Sequence, residues 1–139
     1  MIAQRIASLL LALWAGSLIT VCALAAPTAF AVLERRLAGQ VAARLFFAET
    51  VIGVAAAVLI LIAQRVGGFV VARSAIVLIC VAAAAPLLSH LVLSPMMAAA
   101  RNAGNMARFG ALHGVSALLF AIACVCSLVA LWLFNRPAA

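Results

Sequence analysis

The chain has 139 residues, of which 71% are hydrophobic and only 8% are charged, and its mean hydropathy is +1.39. A soluble domain of this size cannot bury so much apolar surface, so the composition excludes an ordinary soluble protein and favours solvation by a lipid bilayer. The net charge of +7 comes from nine arginines and two glutamates. The arginines are scattered in ones and twos without interleaved aromatics, which argues against nucleic acid and is typical of anchoring among lipid headgroups.

Four long apolar runs account for nearly all of the chain. Each is at least as long as the roughly 20 helical residues that cross a hydrocarbon core about 30 Å thick. The runs are continuous rather than alternating, and hydrocarbon offers the backbone no water, so they predict helices and not strands. We therefore expect an all-α, integral membrane four-helix up-down bundle, with residues 1–139 as a single domain. The predicted helices cover residues 6–33, 41–63, 69–92 and 109–134.

The first run permits two interpretations. Arg5, an apolar stretch and Ala23-Leu24-Ala25 resemble a secretory signal with a small-residue cleavage site. Because the apolar run continues past that site, we predict a retained first membrane helix. Pro27 predicts a kink or a break near its far end. Residues 28–40 then form either the end of a tilted helix or a short interfacial turn.

The remaining connections are short. Gly67 and Gly68 predict a helix break in the second one. The third, residues 93–108, is the longest and leaves room for a short interfacial helix over residues 96–103. Four arginines fall on the side of the termini and five on the opposite side, so the positive-inside rule alone gives no orientation.

Small residues recur at four-residue spacing on three helices, a pattern that lets helix backbones approach closely in lipid. They are Ala12, Gly16 and Thr20 in the first, Gly53 and Ala57 in the second, and Gly110 and Gly114 in the fourth. The four cysteines all lie within apolar runs, where they are expected to be packing residues and not a disulfide framework. Trp14 and Trp132 are expected near one membrane interface.

Polar side chains inside membrane helices are costly and therefore indicate function. Here they gather on the side of the first and third connections, and they are Arg44, Glu49, His90, His113 and Ser116, with Met96 and Met97 beside them. Three alternatives remain open. The cluster is a hydrogen-bonded network that holds the bundle together, a metal site, or a pocket for a small ligand or proton relay. The metal site would be formed by His90, His113, Met96 and Met97, because imidazole and thioether ligands suit copper.

Several phrases resemble the transmembrane protein 205-like proteins, grouped as domain of unknown function 4149. They are Leu11-Ala-Leu-Trp14-Ala-Gly16-Ser17, Ala26-Pro27-Thr-Ala-Phe30, Ala38-Gly39-Gln-Val-Ala-Ala-Arg44-Leu-Phe46 and Phe109-Gly-Ala-Leu-His113-Gly114-Val-Ser116. The resemblance implies a four-helix membrane protein, distantly similar to the membrane domain of copper resistance protein D. It also implies that Pro27, Arg44, His113 and Ser116 belong to the family pattern. By the same analogy, both termini are expected to be cytoplasmic, in a bacterial inner membrane.

These observations lead to one functional expectation and one alternative. We expect a protein that is not an enzyme and that binds or passes copper, another metal or a small solute through its polar cluster, because no catalytic arrangement has every role filled. The alternative is a structural or accessory subunit whose cluster only stabilises helix packing or binds a partner. The bilayer is the expected partner; a homo-oligomer or a membrane-protein partner is left open.

Overall fold

The computed structural model describes residues 2–136, which form four long helices joined by short turns. The helices are α1 (Ile2–Val32), α2 (Arg35–Gly67), α3 (Arg73–Asn102) and α4 (Met106–Phe134). Each has 29 to 33 residues, so each is about 44 to 50 Å long and exceeds the roughly 30 Å hydrocarbon core. All four are long and apolar enough to cross a membrane, which confirms the all-α four-helix fold.

The helices follow one another around the bundle. The α1 helix packs against α2 and α4, and α3 packs against the same two helices. Short turns make consecutive helices antiparallel, so the start of α1 and the end of α4 lie at the same end of the bundle. A hydrogen bond of 2.7 Å from Ser8 Oγ to Asn135 Oδ1 joins those two helix ends.

The bundle is packed mainly through small residues. Alanine supplies most of the buried apolar positions, whereas many leucine, isoleucine and valine side chains point outward. Lipid tails solvate those large side chains as well as a protein core would. Small residues in the interior therefore contribute by letting the helix backbones approach closely. The few large buried side chains include Trp14, Leu11, Leu18 and Ile60.

The second helix begins six residues earlier than the sequence predicts. Only Leu33 and Glu34 separate α1 from α2, both in extended conformations, and α2 starts at Arg35 instead of residue 41. The interval 28–40 is therefore divided: residues 28–32 end α1, Leu33 and Glu34 form the turn, and residues 35–40 begin α2. Hydropathy misplaces this boundary because the first turns of α2 carry arginines and small residues that can extend beyond the hydrocarbon.

The third helix is also shifted. It begins at Arg73 and continues to Asn102, so residues 96–102 form its last turns and no separate interfacial helix precedes α4. The connection to α4 is therefore shorter than predicted and consists of residues 103–105, where Gly104 adopts a φ of +69°. The expected break after α2 is confirmed, since Gly68 has a φ of +60° in the left-handed region that favours glycine.

Proline does not break either of the helices that contain it. Within α1, a π-helical turn covers Val21–Ala25 and the N–H of Ala26 donates to the carbonyl of Val21, immediately before Pro27. The α3 helix repeats this arrangement with the π-helical turn Ser89–Leu93, immediately before Pro95. A proline ring clashes with the carbonyl four residues before it, and a wider turn relieves that clash. The expected break at Pro27 is therefore not formed: the helix widens locally before this residue and continues to Val32.

Some of the small residues predicted at helix contacts are buried, and others are exposed. Gly53 and Ala57 are buried, and Gly53 lies directly against the indole ring of Trp14. Gly16, Gly110 and Gly114 are exposed, and a Cβ added to any of them would meet nothing within 4 Å. The GxxxG pair at the start of α4 therefore faces away from the other helices of this chain.

We expect Gly53→Ala to destabilise the protein by about 1 to 3 kcal/mol. The new Cβ would lie 2.9 Å from Nε1 of Trp14, a buried ring with little room to move. Thermal unfolding in lipid or detergent measures the change. Gly16→Ala is the matched control, because its Cβ would meet nothing within 4 Å. Equal stabilities for the two variants would contradict this helix contact.

Candidate functional site

The central polar group of the bundle is the carboxyl group of Glu49. Glu49 is only 4% exposed, and it lies two residues from the midpoint of α2 because that helix begins at Arg35. The sequence predicts it about two turns into this helix, on the side of the first and third connections. The structure therefore puts a carboxyl group deep in the membrane-spanning part of the protein, where an ionised side chain is costly.

Ser17 is the hydrogen-bond partner of Glu49. It is the middle residue of α1, and its Oγ lies 3.2 Å from Oε2 of Glu49. The same hydroxyl lies 2.9 Å from the backbone carbonyl of Trp14. A serine hydroxyl has one hydrogen to donate, so it cannot fully serve both acceptors. The carboxyl group is thus only partly satisfied by its neighbours.

An unpartnered donor lies close by. The Trp14 side chain is 2% exposed, and within the described part of the chain its Nε1 is the one buried side-chain nitrogen or oxygen without a hydrogen-bond partner. Its indole packs on Gly53, one helical turn from Glu49 on the same helix. Trp14 is consequently not the interfacial ring that the sequence suggested. Trp132, at 61% exposed and beside Arg136 near the end of α4, has that position.

Two thiols complete the surroundings of the carboxyl group. Cys22 of α1 and Cys124 of α4 lie side by side and both are within electrostatic range of Glu49. Both cysteines are free and half-buried. We refer to Trp14, Ser17, Glu49, Cys22 and Cys124 as the central cluster. It joins three of the four helices at mid-bundle.

His113 lies apart from this cluster, on the outer surface of α4. Its side chain is exposed and stacks on Phe109, with ring centroids 6.1 Å apart and planes inclined by 10°. The guanidinium of Arg101 covers the same Phe109 ring at 4.5 Å. The sequence groups His113 with Glu49 in one polar cluster, but the hydrogen-bond partner of Glu49 is Ser17.

The other predicted site residues have separate neighbours. Ser116 forms a hydrogen bond of 2.7 Å with buried Ser89, which ties α4 to α3. The His90 ring packs on Phe47, with centroids 4.8 Å apart. Arg44 is exposed near the start of α2.

The candidate metal ligands are likewise distributed. Met96 and Met97 lie in the last turns of α3, Met96 being exposed, while His90 and His113 each pack on a phenylalanine. Among residues 2–136, no group of three or more histidine, cysteine, aspartate or glutamate side chains is arranged to hold a metal ion. His90 and His113 thus each have a phenylalanine as neighbour, and the copper set, which includes two methionines, stays a prediction.

Sequence reasoning identified Glu49 but missed the residues around it. Ser17 and Trp14 come from a helix whose packing face cannot be read from hydropathy, because every face of α1 is apolar. The nearest available signal was Gly53, whose missing side chain makes room for a large ring on a neighbouring helix. The pairing of Cys22 with Cys124 had no signal, since these residues are far apart in sequence.

Comparisons with known proteins identify a family and no function. A family model described as "Domain of unknown function (DUF4149)" matches residues 9–106. No curated protein and no solved structure matches the chain. The matched residues include the part of the central cluster on α1 and α2 but stop short of His113, Ser116 and Cys124.

We expect a membrane-permeant thiol oxidant such as diamide to link Cys22 to Cys124 within one chain. The two thiols are neighbours on α1 and α4, and a bond between them requires their Cα atoms to lie within about 7 Å of each other. Alkylation and mass spectrometry should show loss of two of the four thiols. Cys80→Ala should leave the reaction intact and Cys22→Ala should abolish it. A link to Cys126 in place of Cys124 would contradict the placement of α4.

Proposed function

The chain belongs to the DUF4149 family, whose description names no activity, and we propose its function from the geometry of the central cluster. We propose that the protein is not an enzyme and that it binds a small cationic solute, a proton or a small cation, at Glu49 in the middle of the bundle. Because Glu49 lies at the middle of the bundle, we propose that the protein passes this solute across the membrane. An ionisable side chain within a membrane helix is by default a functional candidate.

One observation carries the proposal: the carboxyl group of Glu49 is buried at mid-bundle and only partly hydrogen-bonded. Helix locking alone would be poorly served by such an arrangement. A half-satisfied polar network in an apolar interior is less favourable than an apolar contact of the same shape. The unpartnered Nε1 of Trp14 adds a second unsatisfied group to the same region.

The hydrogen-bond geometry suits a carboxyl group that gains and loses a proton. If Ser17 donates to the carbonyl of Trp14 at 2.9 Å, its oxygen is free to accept from Glu49 at 3.2 Å. A proton on the carboxyl group then completes a chain from Glu49 to Ser17 to the backbone. When the proton leaves, the hydroxyl can turn and donate to the carboxylate. Ser17 thus serves both protonation states without moving its oxygen.

Copper is a weaker candidate for this site. Carboxylate oxygen suits hard cations, whereas copper favours imidazole, thiolate and thioether ligands. A copper site at His90, His113, Met96 and Met97 rests on the similarity to copper resistance protein D and on ligand chemistry.

A second candidate function is that of an accessory subunit whose polar groups only hold the helices together. Two observations favour it: the contact between Ser17 and Glu49 joins α1 to α2, and the bond between Ser89 and Ser116 joins α3 to α4. Such bonds between membrane helices contribute on average about 0.6 kcal/mol. This candidate predicts a carboxyl group sealed from every reagent.

The membrane itself is also part of the proposal. We propose a bacterial inner membrane with both termini in the cytoplasm, on the analogy with family members whose second turn and C-terminus are more basic. The end of the bundle that carries Glu34 and the connection between α3 and α4 would then face the periplasm.

We expect a hydrophobic carbodiimide to modify Glu49 in membranes that contain the full chain. Such reagents partition into lipid and react with protonated carboxyl groups in apolar surroundings, and a solute site must be reachable by small molecules. Peptide mass spectrometry should find the adduct on Glu49, and Glu49→Gln should abolish it.

Glu34 supplies the internal control for this experiment. It lies in the exposed turn between α1 and α2, so a water-soluble carbodiimide with an added amine should modify Glu34 and spare Glu49. If Glu49 resists the hydrophobic reagent while Glu34 reacts with the soluble one, the carboxyl group is sealed. That result would reject the solute site and support the accessory candidate.

A further inference from the structure

A groove lies between the start of α1 and the end of α4, away from the central cluster. It has a volume of about 470 Å³ and is lined by Gln4, Arg5, Ser8, Leu9 and Asn135. Ser8 and Asn135 are already hydrogen-bonded to each other at 2.7 Å, and the amide nitrogen of Asn135 donates to the carbonyl of Leu131 at 2.8 Å. The wall where the two helices meet is therefore held in place by its own hydrogen bonds.

The groove combines hydrogen-bond donors with one permanent positive charge. Arg5 presents a planar guanidinium that matches the oxygen atoms of a phosphate group. The Gln4 side-chain amide is a further donor on the same wall. Both residues lie in the first turn of α1, where backbone N–H groups lack helical partners and the helix dipole favours an anion.

The depth of the groove matches that of lipid headgroups. The groove lies where α1 begins and α4 ends. Trp132 lies one turn before Asn135, and its ring is exposed. Exposed tryptophan is enriched at the membrane interface. The guanidinium of Arg136 covers that ring at 3.6 Å. Leu9, which is 64% exposed, continues the groove toward the hydrocarbon side.

The charges at this end of the bundle also favour an anion. Arg5, Arg65, Arg73 and Arg136 lie at helix ends here. The only acidic residues of the chain are Glu34, in the turn at the opposite end, and Glu49, at mid-bundle. An anionic headgroup would consequently meet no acidic side chain at this end.

We propose that this groove binds the phosphate group of an acidic phospholipid, with Arg5 as the charged donor and Leu9 against the first part of an acyl chain. The site is independent of the solute site at Glu49. Its chemistry is that of phosphate recognition, and inorganic phosphate is the other source of the same group. The groove opens at headgroup depth and continues onto an apolar side chain, which favours the lipid.

Native mass spectrometry of the full chain in detergent tests the proposal. We titrate the protein with phosphatidylglycerol or with phosphatidylcholine of the same acyl chains. The wild-type chain should retain phosphatidylglycerol about fivefold more strongly, the effect expected of one basic residue near an anionic lipid. Arg5→Gln should remove that preference.

Arg73→Gln is the matched control. It removes the same charge at the same end of the bundle from an exposed position outside the groove. It should keep the preference for phosphatidylglycerol. Equal losses in Arg5→Gln and Arg73→Gln would show a diffuse charge effect and overturn the proposal.

A third arm separates the two sources of phosphate. Inorganic phosphate, added at the concentration of the lipid and at constant ionic strength, should leave bound phosphatidylglycerol in place. Displacement by inorganic phosphate would identify the free ion as the ligand and overturn the lipid assignment. Equal retention of the two lipids by the wild-type chain would also overturn it.

Discussion

The contact between the Trp14 indole and the backbone at Gly53 fixes how α1 and α2 pack, and the central cluster depends on it. Trp14 is the largest fully buried side chain among the described residues. It fits because Gly53 has no Cβ to oppose its ring. Ser17 and Glu49 lie one turn from these two residues, on the same faces, so the ring contact also brings the hydroxyl to the carboxyl group. A rotation of either helix would separate all four residues together.

The bilayer imposes the rest of the architecture. Because hydrocarbon cannot hydrogen-bond to the backbone, every crossing is a helix. Wider turns accommodate Pro27 and Pro95, and Pro86 lies within a continuous helix as well. Because lipid tails solvate large apolar side chains, the interior is built mainly from alanine, with Gly53 at the closest contact. A single carboxyl group in such an apolar interior is unusual. The central cluster is therefore where the chain departs from the apolar composition that the bilayer favours.

Hydropathy and length were sufficient to predict four crossings, their order and the end of α4, since these follow from the thickness of the membrane. They were insufficient for helix ends beyond the hydrocarbon, where arginines can continue a helix. That limit mattered at α2. The start at Arg35 instead of residue 41 adds about 9 Å of helix before Glu49, while Glu49 stays within three residues of the helix midpoint by either set of bounds.

Lateral position was harder to predict than depth. All faces of α1 and α4 are apolar, so the sequence could not tell that Trp14 points inward or that His113 points outward. Glu49 was recognised because a carboxyl group in a membrane helix is rare and costly. Its partners were not, because serine, cysteine and tryptophan are tolerated at many positions in lipid. Grouping Glu49 with His113 in one polar cluster was reasonable on chemical grounds, but Glu49 is buried and His113 is exposed on the outer face of α4.

Thiol crosslinking in native membranes tests the central claim most directly, with the four native cysteines replaced by alanine. A chain carrying Ser17→Cys and Glu49→Cys should be linked internally by a short bifunctional methanethiosulfonate, because these positions are hydrogen-bond partners on neighbouring helices and the spacer replaces the reach of the glutamate side chain. A chain carrying Glu49→Cys and His113→Cys should remain uncrosslinked. The opposite pattern, with a bond between positions 49 and 113 and none between 17 and 49, would contradict a carboxyl group held against α1 at the middle of the bundle.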